Sequence, residues 1–562
     1  MTGTPRPDVP SLDVKGRGST NASVSASAGI ARAGALLLAG TVASRLLGLV
    51  RDIVVSARFG TSGDLDLYVA AFRVPDLAFT LVSGGALGSA LVPVFSQALH
   101  GDGRAAAAGQ AALVRLAGAA TLAVLLAATA LAAFGATFAD GLAPSFGAGF
   151  SPAAQTRLAG LIRILLLQPV LLGTGEVLAR FLNVRGRFGA TAFAPAAYTA
   201  GIVVAALVAP VELGTVALAW GVVAGAALYL IILTVDAWRT GFRLPITIAL
   251  PPAGAHVPDT RSELGEILRL MVPRVVGQGA VQLSFVATTR LASYLPAGRL
   301  AALNYAWALM MLPLGSFAMT AANAAFPSFA ALAARGDREG LAATGRRTIG
   351  TVAAAMAISS AAAIALGHDA IEILFGRRAF GPESVALTAA ALIAYAVGLP
   401  AHGVLEVQMR LAFALKDTRT PVVIGVGAMA VNVAIATLLA PTLGHVGIGL
   451  GLSIAATIEA VMLGVVLERR LPGVHGFGLA VLAVRLAAMA AIAGIVGWGA
   501  SFALADLGAP AIARLALSGA AFVTASGASA WALRVPEVAE VARAVLRRIA
   551  HRVPRREGGG GG

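Results

Sequence analysis

The 562-residue sequence has no cysteine, which excludes disulfides and thiol chemistry. It has only two lysines, Lys15 and Lys416. Neither lies in a Gly-x-x-x-x-Gly-Lys-Ser/Thr loop, so no ATP-driven engine of that kind is encoded. Charge is scarce too: 12% of residues are charged and 58% are hydrophobic, at a mean hydropathy of +0.84, whereas about a quarter of the residues of a soluble domain are charged. What remains is a polytopic membrane protein, and 66 glycines with abundant alanine suit the close approach of helices in lipid. The net charge of +15 is almost wholly arginine, and the arginines punctuate apolar runs. A nucleic-acid binder would gather them on a solvated face, so no nucleic-acid partner is expected.

Apolar runs of about twenty residues, the length that spans a bilayer core, recur fourteen times from 29–57 to 508–533, among them 66–99, 264–294, 299–330, 345–366 and 384–414. The chain therefore reads as an all-α polytopic membrane protein of about 14 transmembrane helices. Residues 1–28, rich in Ser, Gly and Pro, read as a disordered cytoplasmic tail. With that tail inside, the inner loops hold Arg104, Arg185, Arg187, Arg239, Arg243, Arg335, Arg338, Arg346, Arg347, Lys416, Arg469 and Arg470, while the outer loops hold Arg58, Arg299, Arg377 and Arg378. The bias toward the inner side predicts a multi-pass protein with both termini cytoplasmic, ending in a basic tail, 535–562.

An internal repeat divides the span set. GTGEVLARF (173–181) matches GVLEVQMRL (403–411), so that Glu176 and Arg180 align with Glu406 and Arg410. ALVPVFS (90–96) resembles AAFPSFA (324–330), and Tyr68 aligns loosely with Tyr305. The repeat predicts two pseudo-symmetric six-helix lobes, 29–238 and 264–470, joined by a cytoplasmic linker at 239–263, with two further helices over 471–534 and a cavity between the lobes. Glu176–Arg180 and Glu406–Arg410 are i,i+4 pairs of the favourable order and read as structural ion pairs.

The stretch Ser44 to Ala98 carries Arg45, Arg51, Asp52, Arg58, Asp64, Asp66, Arg73 and Asp76 inside apolar sequence. Charges at membrane depth face a cavity or a partner, which makes this stretch the first candidate site. Adjacent Arg51 and Asp52 point in different directions on a helix and favour a ligand role, against a structural pair. Arg45 is a cavity group or an anchor reaching the interface, and Asp66 is a polar site residue or a favourable charge at the start of its own helix. Asn432 and Ser453 read as interhelical hydrogen bonds, with no mid-membrane carboxylate beside them to make a sodium site. Histidines 368, 402 and 445 lack ligand spacing. No catalytic residue, metal site or cofactor is expected, and the chain does not read as an enzyme.

SRLLGLVRD (44–52), the Phe-Gly turn at 59–60, Asp66, FRVPD (72–76), GGALGSALVP (84–93) and LKDTRTP (415–421), in order across fourteen spans, resemble the MurJ (MviN) family of lipid II flippases within the multidrug/oligosaccharidyl-lipid/polysaccharide exporter superfamily. The resemblance covers residues 30 to 535. It implies a flippase for lipid II, an undecaprenyl pyrophosphate bearing a sugar-pentapeptide headgroup, moved from inner to outer leaflet by alternating access in peptidoglycan biosynthesis. It implies membrane lipids and cell-wall synthesis proteins as partners, and a lipid-tail groove formed by the last two helices. The family's substrate-binding positions carry over to Arg45, Arg51 and Asp52, with Asp66 as a further polar position. Where the family usually carries two more arginines this chain has Phe79 and Ala308, and Arg274 is expected to compensate. The rivals are a flippase for another polyprenyl-linked glycan, a drug exporter of the same superfamily, or a non-transporting cell-wall scaffold. A cavity lined by arginine disfavours a cationic drug.

Overall fold

The computed structural model describes residues 19–83, 86–100, 106–243, 279, 281–541 and 543, and every regular element among them is a helix. The first half comprises α1 (Ser19–Phe59), α2 (Gly63–Ser83), α3 (Ala86–His100), α4 (Ala106–Thr137), α5 (Ala139–Phe146), α6 (Pro152–Leu165), α7 (Leu167–Val184), α8 (Gly189–Val208) and α9 (Gly214–Arg239). The second comprises α10 (281–292), α11 (Arg299–Pro313), α12 (Met319–Ala334), α13 (Arg338–Phe375), α14 (Pro382–Ala396), α15 (Leu399–Ala414), α16 (Arg419–Leu443) and α17 (His445–Arg470). The hairpin α18 (Gly476–Asp506) and α19 (Ala511–Ala532) follows. Large apolar side chains face outward on these helices, among them Leu438, Trp238 and Trp531, which is the surface a bilayer covers.

Ten helices are long and apolar enough to cross a membrane, or eleven if α14 and α15, bent by 45° at their junction, form one span. The expected runs 29–57, 66–99 and 264–294 are absent from that set. In 66–99, Asp66, Arg73 and Asp76 lower the apolarity of α2, and most of 264–294 lies outside the described residues. Boundaries shift as well. Helix α1 starts at Ser19, inside the stretch read as a disordered tail, and α13 extends past 345–366 at both ends. The starts of α1 and α13 are polar turns that continue a helix beyond the apolar run, while the far end of α13 continues through His368, Asp369 and Glu372 into the buried Ile371 and Phe375. The run 299–330 is interrupted by a π-helical turn, Leu314–Ala318, directly after Pro313. The expected linker, 239–263, falls mostly outside the described residues.

The two halves use the same packing partners. Helix α2 lies on α6 as α11 lies on α14, α4 on α7 as α13 on α15, and α8 on α9 as α16 on α17. Helix α3 touches α4 and α7 as α12 touches α13 and α15. Glu176 and Arg180 pair at 2.5 Å on α7, and Glu406 and Arg410 pair at 2.7 Å on α15. After each of these helices the chain turns through a left-handed residue, Gly186 (φ 72°) and Lys416 (φ 61°). The next residue then clasps the end of a neighbouring helix: Arg187 pairs with Asp236 at 2.5 Å, and Asp417 pairs with Arg470. The second clasp has the charges of the first reversed.

The α18–α19 hairpin packs on α13. Its polar anchor is Arg514, whose Nε donates to Asp369 at 2.9 Å and whose Nη2 donates to Glu372 at 2.5 Å, while Ser501 also donates to Asp369. His368, Asp369 and Glu372 therefore sit together, with both carboxylates engaged by the guanidinium. The Asp369 side chain is only 3% exposed, and removing one partner of a buried pair costs about 3 kcal/mol or more. Arg514→Ala is expected to lower the melting temperature of the detergent-solubilised protein by several degrees and to loosen the hairpin. An unchanged melting temperature would show that apolar packing alone docks it. Beyond α19, Arg347 donates to Glu540 at 2.8 Å on the short helix 536–541. That hydrogen bond holds the Glu540 carboxyl below the ordinary carboxylate range. The rest of the basic tail lies outside the described residues.

Candidate functional site

Three charged groups from the first half enter the space between the halves. On α1, Arg51 folds across its own helix: Nη2 lies 2.8 Å and Nε 2.9 Å from the same oxygen of Asp52. The expectation that adjacent residues point apart is therefore corrected, because the long arginine stem lets the guanidinium reach round the backbone to its neighbour. The pair stays reachable, with Arg51 36% and Asp52 17% exposed. Tyr68, Tyr198 and Tyr305 lie within electrostatic reach of it. Six residues before Arg51, Arg45 points at the other half: its guanidinium lies where a Cβ on Gly315 would stand 3.3 Å from Nη2. Gly315 belongs to the π-helical turn between α11 and α12, an irregularity that in membrane helices marks where backbone meets a cavity or a partner.

Asp66 lies in the first turn of α2, as the sequence suggests, but its side chain serves another helix. It is 3% exposed, and its two oxygens accept from the backbone N–H groups of Gly298 at 2.6 Å and Ala301 at 2.7 Å. It is thus the anionic cap of α11, a helix of the opposite half, where the unpaired N–H groups and the helix dipole favour a carboxylate. Around it the halves join through backbone and small polar groups. Thr61 and Ser384 hydroxyls lie 2.8 Å apart, Gly149 N–H donates to Ser293 at 2.9 Å, and Ala379 N–H donates to the Ala57 carbonyl at 3.1 Å. Two glycines with positive φ make this approach possible. A Cβ on Gly298 (φ 89°) would stand 2.1 Å from the Thr61 carbonyl oxygen, and one on Gly60 (φ 58°) would stand 2.3 Å from that of Ala379. This seam lies at the opposite end of the helices from the Arg187–Asp236 and Asp417–Arg470 clasps.

Below the seam, at mid-depth, α2 crosses toward α10. Arg73 Nε donates to Thr289 at 3.1 Å, its guanidinium lies 5.0 Å from the centre of the Phe285 ring, and Gln282 donates to Thr80 at 3.1 Å. Arg73 and Asp76 open on a cavity of about 350 Å³ in the second half, lined also by Trp307, Tyr395, His402 and Asn432. The sequence reading included Arg73 and Asp76 among the charges of the first candidate stretch but gave neither an individual role. The available signal was an i,i+3 charge pair astride Pro75, in the middle of an apolar helix.

The remaining expected groups divide. Asn432 donates to Ser284 at 3.0 Å and Ser453 donates to the Ala394 carbonyl at 2.7 Å, both between helices. Arg410, besides pairing with Glu406, donates to Asn323 at 3.2 Å, and Glu176 accepts from Tyr229 at 2.8 Å. His445 bonds the Leu387 carbonyl at 3.0 Å, whereas His402 Nε2 is buried without a partner. Arg274 lies outside the described residues. Phe79 and Ala308 stay half-buried, as apolar groups where the family pattern carries arginine. Away from these two residues, α17 carries a mid-span carboxylate that the sequence reading passed over, Glu459. It lies well inside α17, half-buried, with its carboxylate against Gly425 of α16.

The model of the family described as lipid II flippase MurJ matches residues 55–514. A probable lipid II flippase MurJ of Bdellovibrio bacteriovorus is 30% identical over 455 residues, 78% of this chain and 82% of that protein. The lipid II flippase MurJ of Burkholderia cenocepacia is 27% identical over 496 residues, 86% of this chain and 93% of its own. In fold, the chain resembles a lipid II flippase MurJ in an inward closed conformation, with a TM-score of 0.72 at 20% identity over 89% of this chain and 99% of that one. It also resembles an inward-facing multidrug resistance transporter of the MATE family, with a TM-score of 0.62 at 16% identity over 77% of this chain and 96% of that one. A multi-pass helical membrane protein with paired charges between two similarly packed halves, matched over most of its length by these sequences, belongs to the MurJ lipid II flippase family.

Proposed function

We propose that this chain moves lipid II from the inner to the outer leaflet by alternating access of two six-helix lobes, about 29–238 and 264–470, in a fourteen-span topology with both termini cytoplasmic. The observation that carries this reading is the Arg51–Asp52 pair, charged, reachable and set between the halves at membrane depth. A pyrophosphate competes with Asp52 for the guanidinium, whose planar fork matches phosphate oxygens bidentately and keeps its charge when desolvated. Arg45, at the π-turn of the other half, is the second cation of the headgroup site, and Arg274 is a third. The recurrent packing partners support the two-lobe division.

In this orientation the seam around Asp66 is the outer gate, closed, and the clasp-bearing end faces the cytoplasm. The structure then corresponds to the state that receives substrate from inside. Release requires the Asp66–α11 cap and the Thr61–Ser384 contact to part while the arginine-rich ends draw together. Two lobes that rock need a drive: the membrane potential supplies about 2.3 kcal/mol per charge per 100 mV, enough to bias a resetting step.

Complementation tests the function: the chain is expected to sustain growth of a bacterium depleted of its own lipid II flippase, and failure of a membrane-inserted protein to do so contradicts it. Reporter fusions test the orientation. A reporter in the loop between α12 and α13, at 335–337, is expected to signal inside, and one between α13 and α14, at 376–381, outside. An inside signal from 376–381 would overturn the topology and, with it, the assignment of the outer gate.

A further inference from the structure

The cavity of the second half has a chemistry distinct from that of the Arg51–Asp52 pair. Its wall is an aromatic ladder: Phe285 meets Trp307 edge-on at 5.6 Å, and Trp307 meets Tyr395 edge-on at 5.7 Å. Beside the ladder stand one cation and one anion, Arg73 and Asp76. Arg73 is fixed by Thr289 and by the Phe285 ring, which leaves its terminal nitrogens for a ligand. Two buried polar atoms face the same space without partners. One is Asn432 Oδ1, in a residue 3% exposed whose amide nitrogen is already used on Ser284, and the other is His402 Nε2. A buried polar atom with no partner is costly, so such atoms in a cavity wall mark where a ligand's polar groups belong.

Resting on the lipid II reading, we infer that this cavity, bounded by Arg73, Asp76, Trp307, Tyr395, His402 and Asn432, is the saccharide subsite of the headgroup, taking one acetamido sugar against the Trp307 face. The balance of charge selects the class. A free phosphate meets Asp76 and a cationic drug meets Arg73, and either leaves one buried charge opposed. A neutral acetamido sugar answers all of the groups together. Its acetyl oxygen accepts from Arg73, its amide N–H and hydroxyls donate to Asp76 and Asn432, a further hydroxyl, which can donate or accept, meets His402, and its apolar ring face covers the indole. At about 350 Å³ the space is at the small end of ligand cavities, fitting a sugar unit rather than a whole glycopeptide. The pyrophosphate remains with Arg51, and the headgroup is held at two points.

Calorimetric titration of the full-length, detergent-solubilised protein tests this with three probes: N,N′-diacetylchitobiose, undecaprenyl pyrophosphate without sugar, and the soluble pentapeptide. The parent is expected to bind the disaccharide. Trp307→Ala and Asp76→Asn should each weaken that binding about tenfold or more, one decade being about 1.4 kcal/mol, while undecaprenyl pyrophosphate binding changes less than threefold. Trp307→Phe, which keeps a ring face, should recover most of the loss and shows that the fold is intact. Arg51→Ala should give the reverse pattern. The inference is overturned if the parent does not bind the disaccharide, if Trp307→Ala and Asp76→Asn bind it like the parent, or if the pentapeptide rather than the sugar is the probe those variants lose. Loss of undecaprenyl pyrophosphate binding by the parent, with disaccharide binding kept, would instead refute the pyrophosphate-lipid reading and leave a sugar site standing.

Discussion

Arg51→Ala protein is expected to reach the membrane in normal amount and to fail completely in a cell depleted of its own lipid II flippase. Two effects act in the same direction. The substitution removes the guanidinium that pairs with pyrophosphate, and it leaves Asp52, 17% exposed, without its 2.8 Å partner, so that an uncompensated anion faces the incoming anion. Losing a charge-assisted hydrogen bond costs about 1.5–3 kcal/mol, equivalent to roughly one to two decades of affinity for each bond to the pyrophosphate. Phe79 and Ala308 have no donor with which to compensate. Asp52→Asn is the informative companion: it removes the competitor and keeps the cation, so binding of undecaprenyl pyrophosphate should hold or tighten. If Arg51→Ala complements like the parent, the cavity-cation mechanism is wrong for this chain.

The second large effect is expected from closing the outer seam covalently. The chain has no native cysteine, so Thr61→Cys with Ser384→Cys introduces a single possible disulfide. The two hydroxyls stand 2.8 Å apart, which places the Cβ atoms near the roughly 3.5–4.5 Å range that a disulfide spans. Under oxidation the double variant should cross-link readily and lose transport nearly completely. Reduction should restore it, and each single variant should stay active. Transport that persists in fully cross-linked protein would mean that the seam around Asp66 need not open, and the alternating-access account would fall. A milder probe of the same seam is Asp66→Ala, which strands two α11 N–H groups. Charge-assisted hydrogen bonds contribute about 1.5–3 kcal/mol each, so the closed end should lose population by at least tenfold.

What the sequence discloses about this molecule follows the range of the forces involved. Helical type and the family motifs are legible because hydropathy and short spacings are local: Glu176–Arg180 and Glu406–Arg410 are four residues apart and meet in the structure. Asp66 is the opposite case. Its partners, Gly298 and Ala301, lie more than 230 residues away and offer backbone N–H groups, which carry no residue-type signature; only the docking of the halves reveals them. Arg51 and Asp52 mislead because helix-wheel directions describe Cβ vectors, and an arginine stem is long enough to defeat them. Arg73 and Asp76 are visible as charges beside Pro75, yet nothing in their spacing tells of Trp307 or Asn432 on helices far along the chain. Glu459 is a different kind of miss: a carboxylate in mid-span is a signal that sequence carries on its face.

The central claim, that this chain carries lipid II across the bilayer, is tested most directly by measuring which leaflet holds lipid II after the protein is depleted. Intact cells or spheroplasts are exposed to an externally added enzyme that cleaves or labels only headgroups on the outer face. The account predicts that depletion leaves total lipid II undiminished or raised while the accessible fraction falls to background within a generation or two, and that re-expression of the parent, but not of Arg51→Ala, restores it. An accessible fraction that stays at the parent level through depletion, with no other lipid II flippase present in the cell, would contradict the account.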